Sequence, residues 1–182
     1  MILQLKSLAV VKSTEPIPIA VSACLLGWAV RYDGRDKAHA GVRFLFASGE
    51  FVPVPVCPEV MAGLGVPRPP VELVRAFGVV RALGVSDRSL DVTGPLIRQA
   101  VRWSAQASAV AGLVCKSRSP SCGLEVALHD QAGRAVGMTE GLFIQVLRRR
   151  RSQLPIVEET ALEDPEHRAA FLDRVRAFAV GR

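Results

Sequence analysis

The sequence predicts a single compact α/β domain: a mainly parallel sheet flanked by helices, with a ligand site at the carboxyl ends of the strands. Three observations predict it. Short aliphatic runs of strand length alternate with segments whose apolar residues recur at helical spacing. The 182 residues match the common size of one domain. Cysteines fall where strand candidates give way to polar, turn-rich loops.

The elements follow in order. Residues 1–15, mildly apolar but interrupted by Lys6 and Lys12, form an N-terminal extension with no cleavage pattern of a secretory leader. The main domain is expected over residues 16–160. Ile17 to Leu26 (IPIAVSACLL) is a buried-strand candidate that delivers Cys24 near its end, and Gly27 stops it. Trp28 to Ala40 is a polar loop with a turn at Asp33-Gly34. Phe51 to Val56 (FVPVPV) reads as an edge strand, because Pro53 and Pro55 donate nothing to a ladder. Met61 to Pro70 (MAGLGVPRPP) precludes a regular element and suggests a fixed loop around Arg68.

Val79 to Val85 is a weak strand. Thr93 and Pro95 then read as the N-cap and first turn of a helix that carries Leu96, Ile97, Ala100 and Val101 to about Ser108. Val110 to Cys115 is a second buried strand, and Lys116 to Gly123 a loop. A helix is expected over Thr139 to Arg151, ended by Pro155, and a short strand over Ile156 to Glu158. Residues 161–182 should be a C-terminal helix packed on the same domain, starting at Asp164-Pro165 with Phe171, Leu172, Val175 and Phe178 on one stripe.

Composition narrows the class. Hydrophobic residues are 49% and charged residues 22% of the chain, too apolar for disorder, and aromatics at 5% leave the core to aliphatic side chains. No apolar run approaches the roughly 18 residues of a spanning helix, so the expected setting is cytoplasmic, without a membrane partner. The formal charge of +6 suits an anionic partner, but much of the excess is Arg148 to Arg151 at a helix end, where cations face the carboxyl-terminal dipole. RNA therefore has only weak support, and a monomer is expected.

In a reducing compartment Cys24, Cys57, Cys115 and Cys122 read as thiols or metal ligands. Cys24, Cys57 and Cys122 each lie at a strand-to-loop junction, while Cys115 sits inside an apolar run and reads as a small core residue. Spacing alone leaves the case open, since there is no CxxC pair.

The segments VSACLLG (21–27), VRYDG (30–34), CPEVMAGLGVPRPPVEL (57–73), LDVTG (90–94), KSRSPSCG (116–123) and PIVEE (155–159) together resemble the thiouracil desulfidases. The resemblance runs from about Pro16 to Glu159. It implies an iron-sulfur-dependent enzyme that removes sulfur from a thiolated pyrimidine, as base or nucleoside, giving the oxo form and sulfide without net redox change. It implies a 4Fe-4S cluster on Cys24, Cys57 and Cys122, its fourth iron open to substrate sulfur, with acid-base roles on Glu59 and Ser119.

Lys116 is a candidate substrate contact for a phosphate or developing charge. Plainer readings stand beside these: a helix-start carboxylate for Glu59, a turn-capping hydroxyl for Ser119 and a solvated cation for Lys116. Arg31, Asp33 and Arg68 read as salt-bridge or loop anchors, and His129 either faces the pocket or lies in a surface turn. The rival class is a noncatalytic protein that uses three thiolates for zinc, a cluster or sulfur transfer, in association with RNA.

Overall fold

A computed structural model describes residues 15–181, so the expected extension, apart from Glu15, lies outside the described residues. In chain order the elements are β1 (Ile17–Ser22), α1 (Ala40–Phe44), β2 (Phe51–Val56), α2 (Pro58–Met61), β3 (Val71–Ala76), β4 (Val79–Gly84), α3 (Thr93–Gln106), β5 (Gly112–Cys115), β6 (Val126–His129), β7 (Ala135–Thr139), α4 (Leu142–Arg150), β8 (Ile156–Glu158) and α5 (Pro165–Val180). Two 3-10 turns, Ala23–Leu26 and Glu159–Glu163, follow β1 and β8.

The aliphatic runs form a four-stranded sheet in the order β2-β1-β5-β8, parallel at every pairing. The central strands are covered on both faces, which is why they read as unbroken apolar runs. On one face Ala20, Leu113, Cys115 and Ile156 pack with Trp103 of α3 and with Phe143, Ile144 and Leu147 of α4. On the other, Ile19, Val21, Val114 and Val157 meet Val42 of α1 and Phe171 and Val175 of α5. Gly112 lets α5 approach this closely: a Cβ there would lie 2.7 Å from Val175 Cγ2. Asp164 caps α5 by accepting from the Glu166 N–H, and Pro165 opens the helix, as the sequence predicts.

A second four-stranded sheet, β4-β3-β6-β7, mixes one parallel pairing with two antiparallel hairpins and goes beyond the single sheet the sequence predicts. Its Leu73, Ala82, Val126 and Leu128 pack on Leu96 of α3 and Leu142 of α4. The β3-β4 turn is Phe77-Gly78, both with positive φ, the geometry that matches the twist of a tight hairpin.

Three boundaries differ from expectation. The first strand stops at Ser22, and Cys24 sits in the 3-10 turn that Gly27 closes with φ 95°. Thr93 does not cap α3: it is the helix's first residue, and its Oγ1 accepts from the Ala82 N–H, tying α3 to β4. Thr139 belongs to β7, and α4 begins only at Leu142, where carbonyls of the 116–123 loop satisfy its first amides. No described helix is long and apolar enough to cross a membrane.

Because β1, β2, β5 and β8 run parallel, whatever follows each of them emerges at one edge of the sheet. That edge receives the Cys24 turn, Cys57, the 116–123 loop and Glu159.

Candidate active site

Three different local devices fix the three edge cysteines. Cys24 is held in its turn, and its carbonyl accepts from the Gly27 and Lys37 N–H groups at 3.2 and 2.9 Å, which lays the 28–40 loop over the strand end. Cys57 precedes Pro58 at the start of α2, and its carbonyl accepts from Met61 N–H at 2.9 Å. Cys122 lies in a loop folded around Ser119, whose Oγ accepts from the Ser121 and Cys122 N–H groups. The same loop abuts α4: Pro120 and Ser121 carbonyls accept from Leu142 and Phe143 N–H, and a Cβ on Gly141 would lie 2.5 Å from the Ser121 carbonyl. Only glycine fits there.

Cys24, Cys57 and Cys122 all line one cavity of about 630 Å³. This is the size of a small-molecule site. Burial, with the neighbouring Cys122 and Cys57, pushes the Cys24 thiol up to about 12. Burial also raises Cys57, and it raises Cys122 against the opposing Ser119 and Ser22 hydroxyls. A metal centre takes cysteine as thiolate, so binding one here would displace protons from three thiols. Among the described residues no three His, Cys, Asp or Glu side chains are gathered to hold a metal ion. A cluster engages its cysteines at separate corners, so thiols spaced around a cavity fit it without meeting at one point. Cys115 is different: it is fully buried, does not line the cavity, and donates to the Val157 carbonyl at 3.3 Å.

Two carboxylates stand in the cavity wall. Glu59 Oε2 accepts from Arg68 Nε at 2.6 Å and Oε1 from Ser121 Oγ at 2.7 Å. Arg68 is itself fixed by donating to the Gly65 and Val30 carbonyls, so the anchor reading of this residue is what the structure shows. Glu159 accepts from Lys116 Nζ, Ser117 N–H and Ser117 Oγ. Burial works against its charge, but these donors outweigh it and hold the carboxyl below its usual range. Lys116 does line the cavity, yet its ammonium is turned to Glu159 and Ser117.

Arg31 pairs with Asp33 at 3.3 Å at the cavity rim. His129 is absent from the cavity lining; it ends β6 beside Glu72, with Nδ1 3.4 Å from Oε2. Sequence reasoning misses four contributions: Ser22, Ser121 and Glu159, and Arg68 as the partner of Glu59. Only Glu159, a carboxylate closing the short strand run PIVEE, leaves a local trace.

Comparison with known proteins places the chain in a family. The family model for 2-thiouracil desulfurase matches residues 19–159. The uncharacterized protein YbbK of Bacillus subtilis (strain 168) is 34% identical over 114 residues, 58% of this chain and 72% of YbbK. A solved structure of the 4Fe-4S-dependent thiouracil desulfidase TudS is 32% identical with a TM-score of 0.63, covering 86% of this chain and 97% of that one.

Proposed function

The chain belongs to the 2-thiouracil desulfurase family, and on that premise we propose that it converts a thiolated pyrimidine base or nucleoside to the oxo form, releasing sulfide. The observation that carries the reading is the meeting of Cys24, Cys57 and Cys122, from three separate strand ends, in one ligand-sized cavity while Cys115 points into the core. These three residues are the proposed ligands of a 4Fe-4S cluster. When bound with only three cysteines, such a cluster supplies a thiophilic iron with one position free for substrate sulfur.

The net change is C=S plus water to C=O plus hydrogen sulfide, so both protons of water end on sulfur and no electron is gained or lost. Glu59 is the proposed acceptor and donor of the travelling proton. Arg68 on Oε2 fixes the direction of the carboxylate, and Ser121 holds Oε1 in the cavity wall. Ser119 Oγ already accepts two backbone N–H groups, which leaves its hydroxyl proton for the Cys122 sulfur at rest and for water or the departing sulfur during turnover. Lys116, neutralised by Glu159, shapes the wall more than it offers a free charge.

The test is purification without oxygen, iron and sulfide analysis, and incubation with 4-thiouracil while its near-ultraviolet band is followed. Brown protein with about four irons per chain that bleaches the substrate and releases sulfide is expected. Colourless, zinc-bearing protein overturns the proposal in favour of a noncatalytic metal or sulfur-transfer role.

A further inference from the structure

Ser22 is the last residue of β1 and almost fully buried. Its Oγ accepts from the Lys116 N–H at 3.0 Å and lies 3.4 Å from Cys122 Sγ. A hydroxyl has one proton to give. With an amide already donating to the oxygen, that proton is free for the sulfur, and a sulfur bearing ligand charge is the better acceptor.

The oxygen is fixed from behind as well. Lys116 is held by its ammonium on Glu159, and Ser117 by its N–H and hydroxyl on the same carboxylate. The strand end, the loop and the sulfur therefore form one chain: Glu159, Lys116–Ser117, Ser22, Cys122. Among the described residues Cys24 has no such donor; its surroundings act on it through burial and the charges of Cys122, Cys57, Arg31 and Lys116. The three sulfurs lining the cavity are unequal.

We propose that Ser22 is a positioning residue which donates a hydrogen bond to the Cys122 sulfur and so tunes one corner of the cluster. This rests on the three-cysteine ligation proposed above. A donor on a ligand sulfur withdraws electron density and stabilises the more negative, reduced cluster, which raises its reduction potential. It also makes that sulfur less basic, so protons released in the cavity are less able to detach it from iron.

The test compares Ser22→Thr with Ser22→Val, side chains of nearly equal shape that differ by the hydroxyl, in anaerobically loaded protein. The Ser22→Thr variant should keep the wild-type midpoint potential. Ser22→Val should shift it to lower potential, lose the deuterium-sensitive part of its iron–sulfur vibrations, and release iron to a chelator several-fold faster. Loading of Ser22→Thr alone, with both cluster-free proteins unfolding at the same temperature, also supports the proposal. Equal potentials and equal iron release in the two variants overturn it, as does failure of both to load with an equal loss of cluster-free stability, which makes the site purely a packing position. Wild-type protein without any cluster refutes the ligation reading itself, a result distinct from these.

Discussion

Glu59 and Glu159 each meet one cation and one serine hydroxyl, and both line the same cavity, yet they are not equivalent. Glu159 is buried and takes three donors: an ammonium, a hydroxyl and a backbone N–H converge on it across the join of the β5 and β8 ends. Glu59, its side chain 12% exposed, has one donor on each oxygen and is carried by α2, immediately after Pro58 and two positions past a cysteine. A carboxylate has about four acceptor sites, so Glu59 retains room for a water or a substrate proton. The difference teaches that two similarly paired carboxylates in one wall can differ in spare acceptor capacity, and that capacity is the ground for the role proposed for Glu59.

The sharpest way to break the comparison is Glu59→Gln. The amide keeps shape and most hydrogen bonds but cannot accept the proton, so turnover should fall by about 10²–10⁴-fold with iron content unchanged. Full activity in that variant removes Glu59 from the chemistry. The matching change at Glu159 should act on stability instead. Removing one partner of a buried pair costs on the order of 3–5 kcal/mol, so Glu159→Ala should lower the denaturant midpoint strongly. A Lys116→Met, Glu159→Leu double variant should recover much of that loss, because neither charge is then stranded.

Acidity sharpens the same contrast. The Glu159 carboxyl is held below its unfolded value, so its contribution is fully present above the ordinary carboxylate pKa near 4.5. As pH falls toward its depressed folded value, the unfolded state takes up the proton first, and that contribution is lost. Urea midpoints measured from pH 7 down to 3 should therefore fall more shallowly in Glu159→Gln than in the parent. Parallel curves would contradict the assignment.

The two sheets are unequally legible for a related reason. The parallel sheet announces itself because β1 and β5 are covered on both faces and are written as aliphatic runs. The mixed sheet is written in half-exposed strands. β3 mixes Glu72 and Arg75 into its pattern directly after Pro69-Pro70, and β7 is an exposed edge with Gly137 in its middle. The cysteines of the site are readable as residue types at strand ends. Their supporting contacts are not, since Ser121 reaches Glu59 across 62 positions and Lys116 reaches Ser22 across 94. Such pairings come from the parallel topology, which no local spacing encodes.

A smaller effect tests how the cysteine loop is held. Gly141→Ala drives a methyl into the Ser121 carbonyl, which cannot move without shifting Cys122, its neighbour. Overpacking of this kind costs about 1–3 kcal/mol. The variant should lose more bound iron than Gly112→Ala, whose clash is with Val175 and Phe171 of α5 on the opposite sheet face. Similar iron content in the two would show that the Gly141 contact does not position Cys122.

Cys115 and Cys122 give the finest contrast, for both are buried and both belong to the same core cluster. What separates them is direction: Cys122 lines the cavity near Ser22, whereas Cys115 spends its hydrogen on the Val157 carbonyl of the neighbouring strand. Burial lifts the Cys115 thiol well above the ordinary range, so it stays protonated and serves as a weak donor in an apolar layer. Serine keeps a donor there with a shorter reach, and burying a hydroxyl whose bond is imperfect costs about 1–3 kcal/mol. Cys115→Ser should therefore leave iron content and turnover unchanged with a moderate drop in midpoint, while Cys122→Ala should abolish both. Loss of the cluster in Cys115→Ser would mean that the sulfur facing Val157 turns toward the cavity when the metal is bound, and the ligand set would then include a fourth cysteine.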